Sequence, residues 1–291
     1  MKPACFEYFA PNTLAEAVAL RDRYPGAAVL AGGQSLLPIM NFRLGQPDQV
    51  IDLGKVSELA YVDITDGAVV VGAMARQREL ERNSDALRVN PLLGDTLRLV
   101  AHPVIRNRGT VGGSIAHADP AAELPTLLTC LDGSVQVAGP EGNREIAAAE
   151  LFLFHLTTSI EANEVLASVR FPVLEPTSGW SFLEVTRRHG DFALAGVCAV
   201  VKLDASQRVE RVRLAACGIA TTPCKLTLAE DAILGNPPTE EAMRQAGKAA
   251  TGHVTTGSDT QASVGYRRRL VEELVFRSLR QAVDRIHVEA A

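Results

Sequence analysis

The stretch LAGGQSLLPIMNFR, residues 30–43, leaves a short apolar run, passes through two adjacent glycines and a small polar pair, and re-enters an apolar segment. Paired glycines at the end of a strand let the backbone approach a ligand closely. They also turn N–H groups toward an anion, where any Cβ would clash. Ala31, Gly32, Gly33, Gln34 and Ser35 form this turn, and the Ser35 hydroxyl adds a donor for a phosphate oxygen. The stretch RNRGTVGGSIAHADPAAELP, residues 106–125, repeats the design with Thr110, Val111, Gly112, Gly113 and Ser114. Taken singly, each glycine pair is a tight turn. Taken together, the two loops predict a hold on both phosphates of one diphosphate-bearing ligand. Asp119 and Glu123 follow, carboxylates suited to ribose hydroxyls or the adenine ring. The G-x-G-x-x-G fingerprint is missing, and Gly247–Lys248 lacks the upstream glycine of a P-loop, so neither common nucleotide motif applies.

Around these loops the chain reads as three regions. Residues 1–55 alternate strand and helix in a βαβ-like unit, with Thr13 and Glu16 at capping-box spacing before Leu14, Ala17, Val18 and Arg21. Residues 56–175 begin with two short strands around Asp66–Gly67. Helices near 77–82 and 91–100, the second glycine loop, a further helix and short strands follow. Residues 177–291 read as three antiparallel strands and then helices, the last from Ser263 to Val288 with apolar residues at intervals of three and four. The fold class expected is α+β.

The 291 residues are 47% hydrophobic and 22% charged with a net charge of −5, which disfavours a nucleic-acid groove or an anionic membrane surface. Short basic clusters such as Arg187–Arg188 and residues 267–269 read as solvated faces. The N-terminus shows no signal-peptide pattern, and no run reaches the ~20 apolar residues of a membrane span. A cytoplasmic location is expected. Five scattered cysteines without a CxxC pair predict buried thiols and no metal or iron–sulfur site in this chain.

AGGQSLLPIMNFRL, then IRNRGTVGGSIAHADPAAELP, then RRHGDFALAGV, in that order, resemble the FAD-binding medium subunit of the molybdenum hydroxylases, the xanthine dehydrogenase and carbon monoxide dehydrogenase family. The resemblance spans essentially the whole chain. It implies a two-subdomain FAD-binding region of vanillyl-alcohol-oxidase type followed by a C-terminal α+β domain, with boundaries at 1–55, 56–175 and 177–291. It also implies that residues 31–35 and 110–114 bind the FAD diphosphate and that Glu123, where the family usually has Asp, contacts the adenosine part. Leu166 would line the flavin pocket, and Asp191 and Phe192 would lie near the isoalloxazine. Gln34 stands where several members have His, so FAD is expected to be noncovalent. His117 and His189 are candidate flavin neighbours rather than catalysts, and no catalytic residue is expected here.

The resemblance further implies a heterotrimer, paired into a dimer of heterotrimers. A large molybdopterin subunit oxidises the substrate, and a small subunit with two [2Fe–2S] clusters passes electrons to this chain, which hands them to an external acceptor. Molybdopterin and [2Fe–2S] belong to the partners. PIMNFRL and HPVIRNR, with Arg43, Arg106 and Arg108, have two readings of equal weight, a face toward the iron–sulfur subunit and a packed core with solvated arginines. Two other readings stand beside this one. A stand-alone FAD-dependent oxidoreductase would need an acid/base residue beside the flavin, and the last third shows no Tyr/Arg/Glu group of that kind. A scaffold with vestigial loops would not need both loops to keep their small and polar residues.

Overall fold

The computed structural model describes residues 1–289, with side chains through residue 286, and is α+β. Residues 290 and 291 of the expected last region lie outside the described residues. The first region holds β1 (Glu7–Phe9), α1 (Leu14–Arg23), β2 (Ala28–Leu30), α2 (Leu36–Asn41) and β3 (Gln49–Asp52). Its strands form a parallel sheet in the order β1-β3-β2, the outcome of joining short strands through helical crossovers. Thr13 caps α1, its hydroxyl accepting from the Glu16 amide at 3.1 Å. The Glu16 carboxylate accepts from the Asn12 amide at 2.7 Å, one residue short of the box read from the sequence.

The middle region contributes β4 (Val62–Thr65), β5 (Ala68–Gly72), α3 (Gln77–Glu81), α4 (Ser84–Val89), α5 (Pro91–Leu99), α6 (Pro103–Arg106), α7 (Val111–His117) and α8 (Glu123–Cys130). It continues with β6 (Ser134–Gly139), β7 (Gly142–Ala147), α9 (Ala148–Leu151), β8 (Phe152–Phe154), β9 (Thr157–Thr158) and β10 (Val165–Pro172). The main sheet is antiparallel in the order β4-β5-β10-β6-β7. Asp66 and Gly67 both take positive φ (48° and 71°), the requirement of the tight hairpin turn predicted there. β10 joins the first two regions, because Val165 and Ala167 pack into the core built on Ala17, Ile51 and Leu53 while Leu166 and Val169 belong to the middle core.

The last region comprises β11 (Gly179–Val185), β12 (Ala195–Leu203), β13 (Val209–Cys217), the short β14 (Cys224–Lys225), α10 (Thr227–Ile233), α11 (Glu240–Ala250) and α12 (Val264–Glu289). The strands pair antiparallel in sequence order. β12 is apolar on both faces because both are covered. Ala195, Val197, Ala199 and Val201 pack toward the helices α10–α12, whereas Cys198 and Val200 pack toward α8 and the middle region. β11 splits the same way, with Trp180 and Phe182 on the middle-region face and Leu183 and Val185 on the helix face. At β10 and the sheet β11–β14 the first, middle and last regions are therefore laid against one another. No helix among the described residues is long and apolar enough to cross a membrane.

The seam between the middle and last regions carries a polar junction on Asp95. Its Oδ2 accepts from Trp180 Nε1 at 3.2 Å and from Arg285 at 2.7 Å, Arg98 pairs with its other oxygen, and Arg285 lies 5.0 Å from the Trp180 ring centroid. Asp95 and Arg285 keep partial solvent access, 20% and 29% of their side chains, so the junction is screened and contributes about 1–2 kcal/mol. Trp180 is the chain's one tryptophan. Asp95→Asn is expected to lower the unfolding midpoint modestly and to shift the emission of Trp180, an outcome that steady-state fluorescence reads directly.

Candidate functional site

The first glycine loop leaves β2 and enters α2. Gly33 sits at φ 73°, and a Cβ there would meet Leu37 Cδ1 at 2.9 Å. Gly32 is held against the backbone of Arg108 and Gly109, whose Cα would lie 2.8 Å from an added Cβ. Gln34 folds back so that Nε2 donates to the Gly32 carbonyl at 3.1 Å, and Ser35 stands at the N-cap of α2 without a side-chain cap bond. The backbone amides of Gly32, Gly33, Gln34 and Ser35 meet no acceptor among the described residues. Four neighbouring donors and a free hydroxyl on a glycine turn form a cradle for an anion.

The second stretch differs from the sequence reading in one respect. Only Thr110 is loop, since residues 111–114 are the first turn of α7, and their amides are already engaged. Val111 donates to the Ala75 carbonyl at 3.0 Å, Gly112 to Ala73 at 3.1 Å, Gly113 to Thr110 Oγ1 at 3.0 Å and Ser114 to the Thr110 carbonyl at 3.2 Å. The glycines therefore serve close approach rather than donation. A Cβ on Gly112 would meet Ala73 at 2.6 Å, and one on Gly113 would lie 2.6 Å from Thr110 Oγ1 and 3.5 Å from the Ala31 Cβ. That last distance brings the two glycine stretches close together. The cradle is supplied by residues 32–35, and Gly113 keeps the space beside it clear.

The remaining residues divide between the buried and the exposed. Asp119 Oδ1 accepts from the Ala121 amide at 2.8 Å, fixing the turn into α8. Glu123 opens α8 with 7% of its surface exposed and has its own backbone amide as the donor to its carboxylate. Burial pushes its pKa up to about 7, and nearby Asp119 adds to the rise. No side chain among the described residues is hydrogen-bonded to this carboxyl, and the charge of Arg106 opposes the rise. Leu166 is buried on β10 beside a register shift between Leu166 and Ser168, where Ala167 accepts from the Ala73 amide at 2.9 Å. Asp191 and Phe192 are exposed, Phe192 by 63%, on the turn after β11. That turn lies on the segment leading to α7, for a Cβ on Gly190 would meet the His102 ring at 2.7 Å, and the His102 and His189 rings are 5.7 Å apart. His189 is thus one half of a histidine pair. His117 is half-buried, which lowers its pKa.

Arg106 lies in a packed environment and is not free to be a partner contact. It is buried, its Nε and Nη2 each 3.0 Å from the Glu81 carboxylate and its Nη1 2.7 Å from the Val100 carbonyl. Other residues of the two segments behave otherwise, since Phe42, Arg43, Leu44, Val104 and Arg108 are exposed. Glu184 on β11 was not singled out in the sequence. Its Oε2 is buried without a hydrogen-bond partner among the described residues, and only the register that turns it to the face of Phe182 reveals this.

A cradle of free backbone amides on a glycine turn, at the end of a parallel strand and against the first turn of α7, has the chemistry of an anion-binding site. The family model for the FAD binding domain in molybdopterin dehydrogenase matches residues 4–174, and that for the CO dehydrogenase flavoprotein C-terminal domain matches residues 180–282. The carbon monoxide dehydrogenase medium chain of Hydrogenophaga pseudoflava is 35% identical, covering 97% of this chain and 98% of its own. The 6-hydroxypseudooxynicotine dehydrogenase complex subunit alpha of Paenarthrobacter nicotinovorans is 35% identical over 98% of this chain and 97% of its own. A solved structure of the Hydrogenophaga pseudoflava carbon monoxide dehydrogenase superposes with a TM-score of 0.95 over 98% of this chain and 99% of the other at 35% identity. Quinoline 2-oxidoreductase from Pseudomonas putida 86 gives 0.93 at 34% identity over 98% and 99%. The chain belongs to the FAD-binding medium subunits of the molybdenum hydroxylase family. It is an oxidoreductase subunit whose cofactor is FAD.

Proposed function

We propose that this chain is the electron-exit subunit of a molybdenum hydroxylase, taking electrons from the [2Fe–2S] clusters of a small partner and delivering them to an external acceptor, with substrate oxidised on a large molybdopterin partner. The observation that carries the proposal is the cradle of free amides at residues 32–35 meeting the Gly113 surface, on a chain matched end to end by medium subunits. Bound FAD supplies the exchange of electrons one or two at a time. The chain supplies binding, orientation and shielding. The amides of Gly32, Gly33, Gln34 and Ser35 and the hydroxyls of Ser35 and Ser114 hold the diphosphate, and Asp119 and Glu123 hold the adenosine part. Leu166 lines the flavin pocket, and the turn with Asp191 and Phe192 covers its open side. Gln34, engaged with the Gly32 carbonyl, offers no nucleophile for a covalent flavin link.

Residues 1–55 and 56–175 act as the two FAD-binding subdomains and 177–291 as the C-terminal domain of a cytoplasmic dimer of heterotrimers. The exposed Phe42, Leu44 and Val104, with Arg43 and Arg108 among them, form the face toward the iron–sulfur partner. Arg106, tied to Glu81, is not part of it. Co-expression with the neighbouring subunits, followed by an absorption spectrum and iron and molybdenum assays on one native sample, tests the reading. The expected result is a three-chain complex containing flavin, iron and molybdenum. Flavin in an isolated chain that by itself turns over a small molecule would overturn the proposal in favour of a self-sufficient oxidoreductase.

A further inference from the structure

A cation with no carboxylate partner among the described residues lies where the two glycine stretches meet. Residues 75–77 run beside 109–111 as a short antiparallel ladder. Arg76 is bridged to Thr110, the Gln77 amide donates to the Gly109 carbonyl at 2.9 Å, and the Val111 amide donates to the Ala75 carbonyl at 3.0 Å. The Arg76 side chain reaches Arg108, whose carbonyl accepts from its Nη1. That same carbonyl oxygen is what a Cβ on Gly32 would strike, with the Gly109 Cα next at 2.8 Å. A single carbonyl group therefore stands between the Arg76 guanidinium and the glycine turn whose amides meet no acceptor among the described residues.

A guanidinium carries five N–H donors, and the bond to Arg108 is the one that this side chain makes among the described residues. The charged groups of the neighbouring helix are committed elsewhere. Glu79 accepts from the Arg76 backbone amide at 3.0 Å, and Glu81 is held by Arg78 at 2.6 Å and by Arg106 at 3.0 Å. Arg76 is half-buried, so solvent screens its charge incompletely. Arg108 is a second cation without an ion pair among the described residues. Its side chain is exposed, and what the structure sets against Gly32 is its carbonyl.

We propose that Arg76 is a binding residue of the cofactor site, supplying to the FAD diphosphate the counter-charge that the neutral amides of residues 32–35 lack. The proposal rests on the reading of residues 32–35 as the diphosphate cradle. Amides fix where the phosphate oxygens sit, whereas a guanidinium adds charge-assisted donors and favours a ligand that carries negative charge. The field of the whole chain works the other way. At a net charge of −5 it repels an anionic ligand, and added salt would relieve that repulsion and tighten binding. A cation beside the cradle reverses the sign, so that added salt weakens binding.

The test is titration of FAD into the full-length chain freed of flavin, at low and at high potassium chloride. The natural chain is expected to bind FAD more weakly as salt rises. Arg76→Gln, checked for folding by circular dichroism, should bind about tenfold more weakly at low salt, and the gap should close at high salt. Arg76→Lys keeps the charge and should keep most of the affinity and its salt dependence. Affinity in the natural chain that is level or rises with salt would overturn the proposal whether or not the Arg76→Gln chain folds. A loss in Arg76→Gln of equal size at every salt concentration would also overturn it, because Arg76 would then only pin the Arg108 carbonyl. Unchanged salt dependence in that variant would transfer the role to Arg108, and an Arg76→Lys chain no tighter than Arg76→Gln would remove the charge from the account. Each of these results leaves FAD on the cradle. A natural chain that binds no FAD at any salt concentration would overturn the cradle itself.

Discussion

Gly33→Val is expected to empty the flavin site while leaving the rest of the chain folded. Gly33 holds φ 73°, a backbone region that costs a β-branched residue about 1–3 kcal/mol, and its new Cβ would start 2.9 Å from Leu37 Cδ1. The backbone relieves this by rotating, and rotation re-aims the amides of Gly33 and Gln34 that make the cradle. Losing 1.4–2.8 kcal/mol of binding is a ten- to hundredfold loss of affinity, roughly what two misdirected hydrogen bonds to a charged phosphate supply. Gly113→Val reaches the same end by another route. Its Cβ would lie 2.6 Å from Thr110 Oγ1 and its methyls would fill the space toward Ala31. Flavin absorbance per chain after purification, read beside far-UV circular dichroism, checks both variants. Full occupancy in either one would remove the diphosphate role from its loop.

The sequence told most where local chemistry is strong. The Asp66–Gly67 hairpin, the Thr13 cap and the periodic stripe of α12 are short-range signals, and each is present in the structure. The alternation of β12 was hidden because both its faces are buried, so its strand reads as an unbroken apolar run. The T-V-G-G-S stretch was legible as a place where backbone comes close, but not as the start of a helix. Two glycines argue against helix locally, and it is Thr110, capping Gly113, together with the Ala73 and Ala75 carbonyls that imposes one. The burial of Arg106 and of Glu184 is illegible in the sequence for a shared reason. Arg106 is made internal by Glu81, twenty-five positions earlier, and Glu184 by a strand register, and neither pairing leaves a mark in the residues nearby.

Arg106→Ala is expected to destabilise the chain by about 3–5 kcal/mol, the range for removing one partner of a buried ion pair. Arg106 and Glu81 expose 6% and 11% of their side chains, so solvent cannot replace what is lost. The same substitution frees the carbonyls of Val100 and Ala101, the latter at φ 43°, and so loosens the segment that runs from α5 through His102 to Thr110. Flavin affinity should therefore fall together with stability, and the loss of stability should exceed that of Gly33→Val. The pH dependence separates the ion pair from simple loss of packing. Burial alone would push the Glu81 pKa up, but hydrogen bonds and charge from Arg106 and Arg78 outweigh it and hold the carboxyl below its usual value. A depressed carboxyl stabilises the fold above its unfolded pKa of about 4.5 and ceases to do so as pH falls through the folded value. With Arg106 gone, burial dominates and the Glu81 pKa rises. Glu81 then favours the folded state when protonated, and the deficit of the variant should shrink between pH 7 and pH 4.5. Urea unfolding at the two pH values measures this. A deficit of equal size at both would mean that Arg78, 2.6 Å from the same carboxylate, holds Glu81 ionised by itself and that Arg106 acts through the Val100 and Ala101 carbonyls alone.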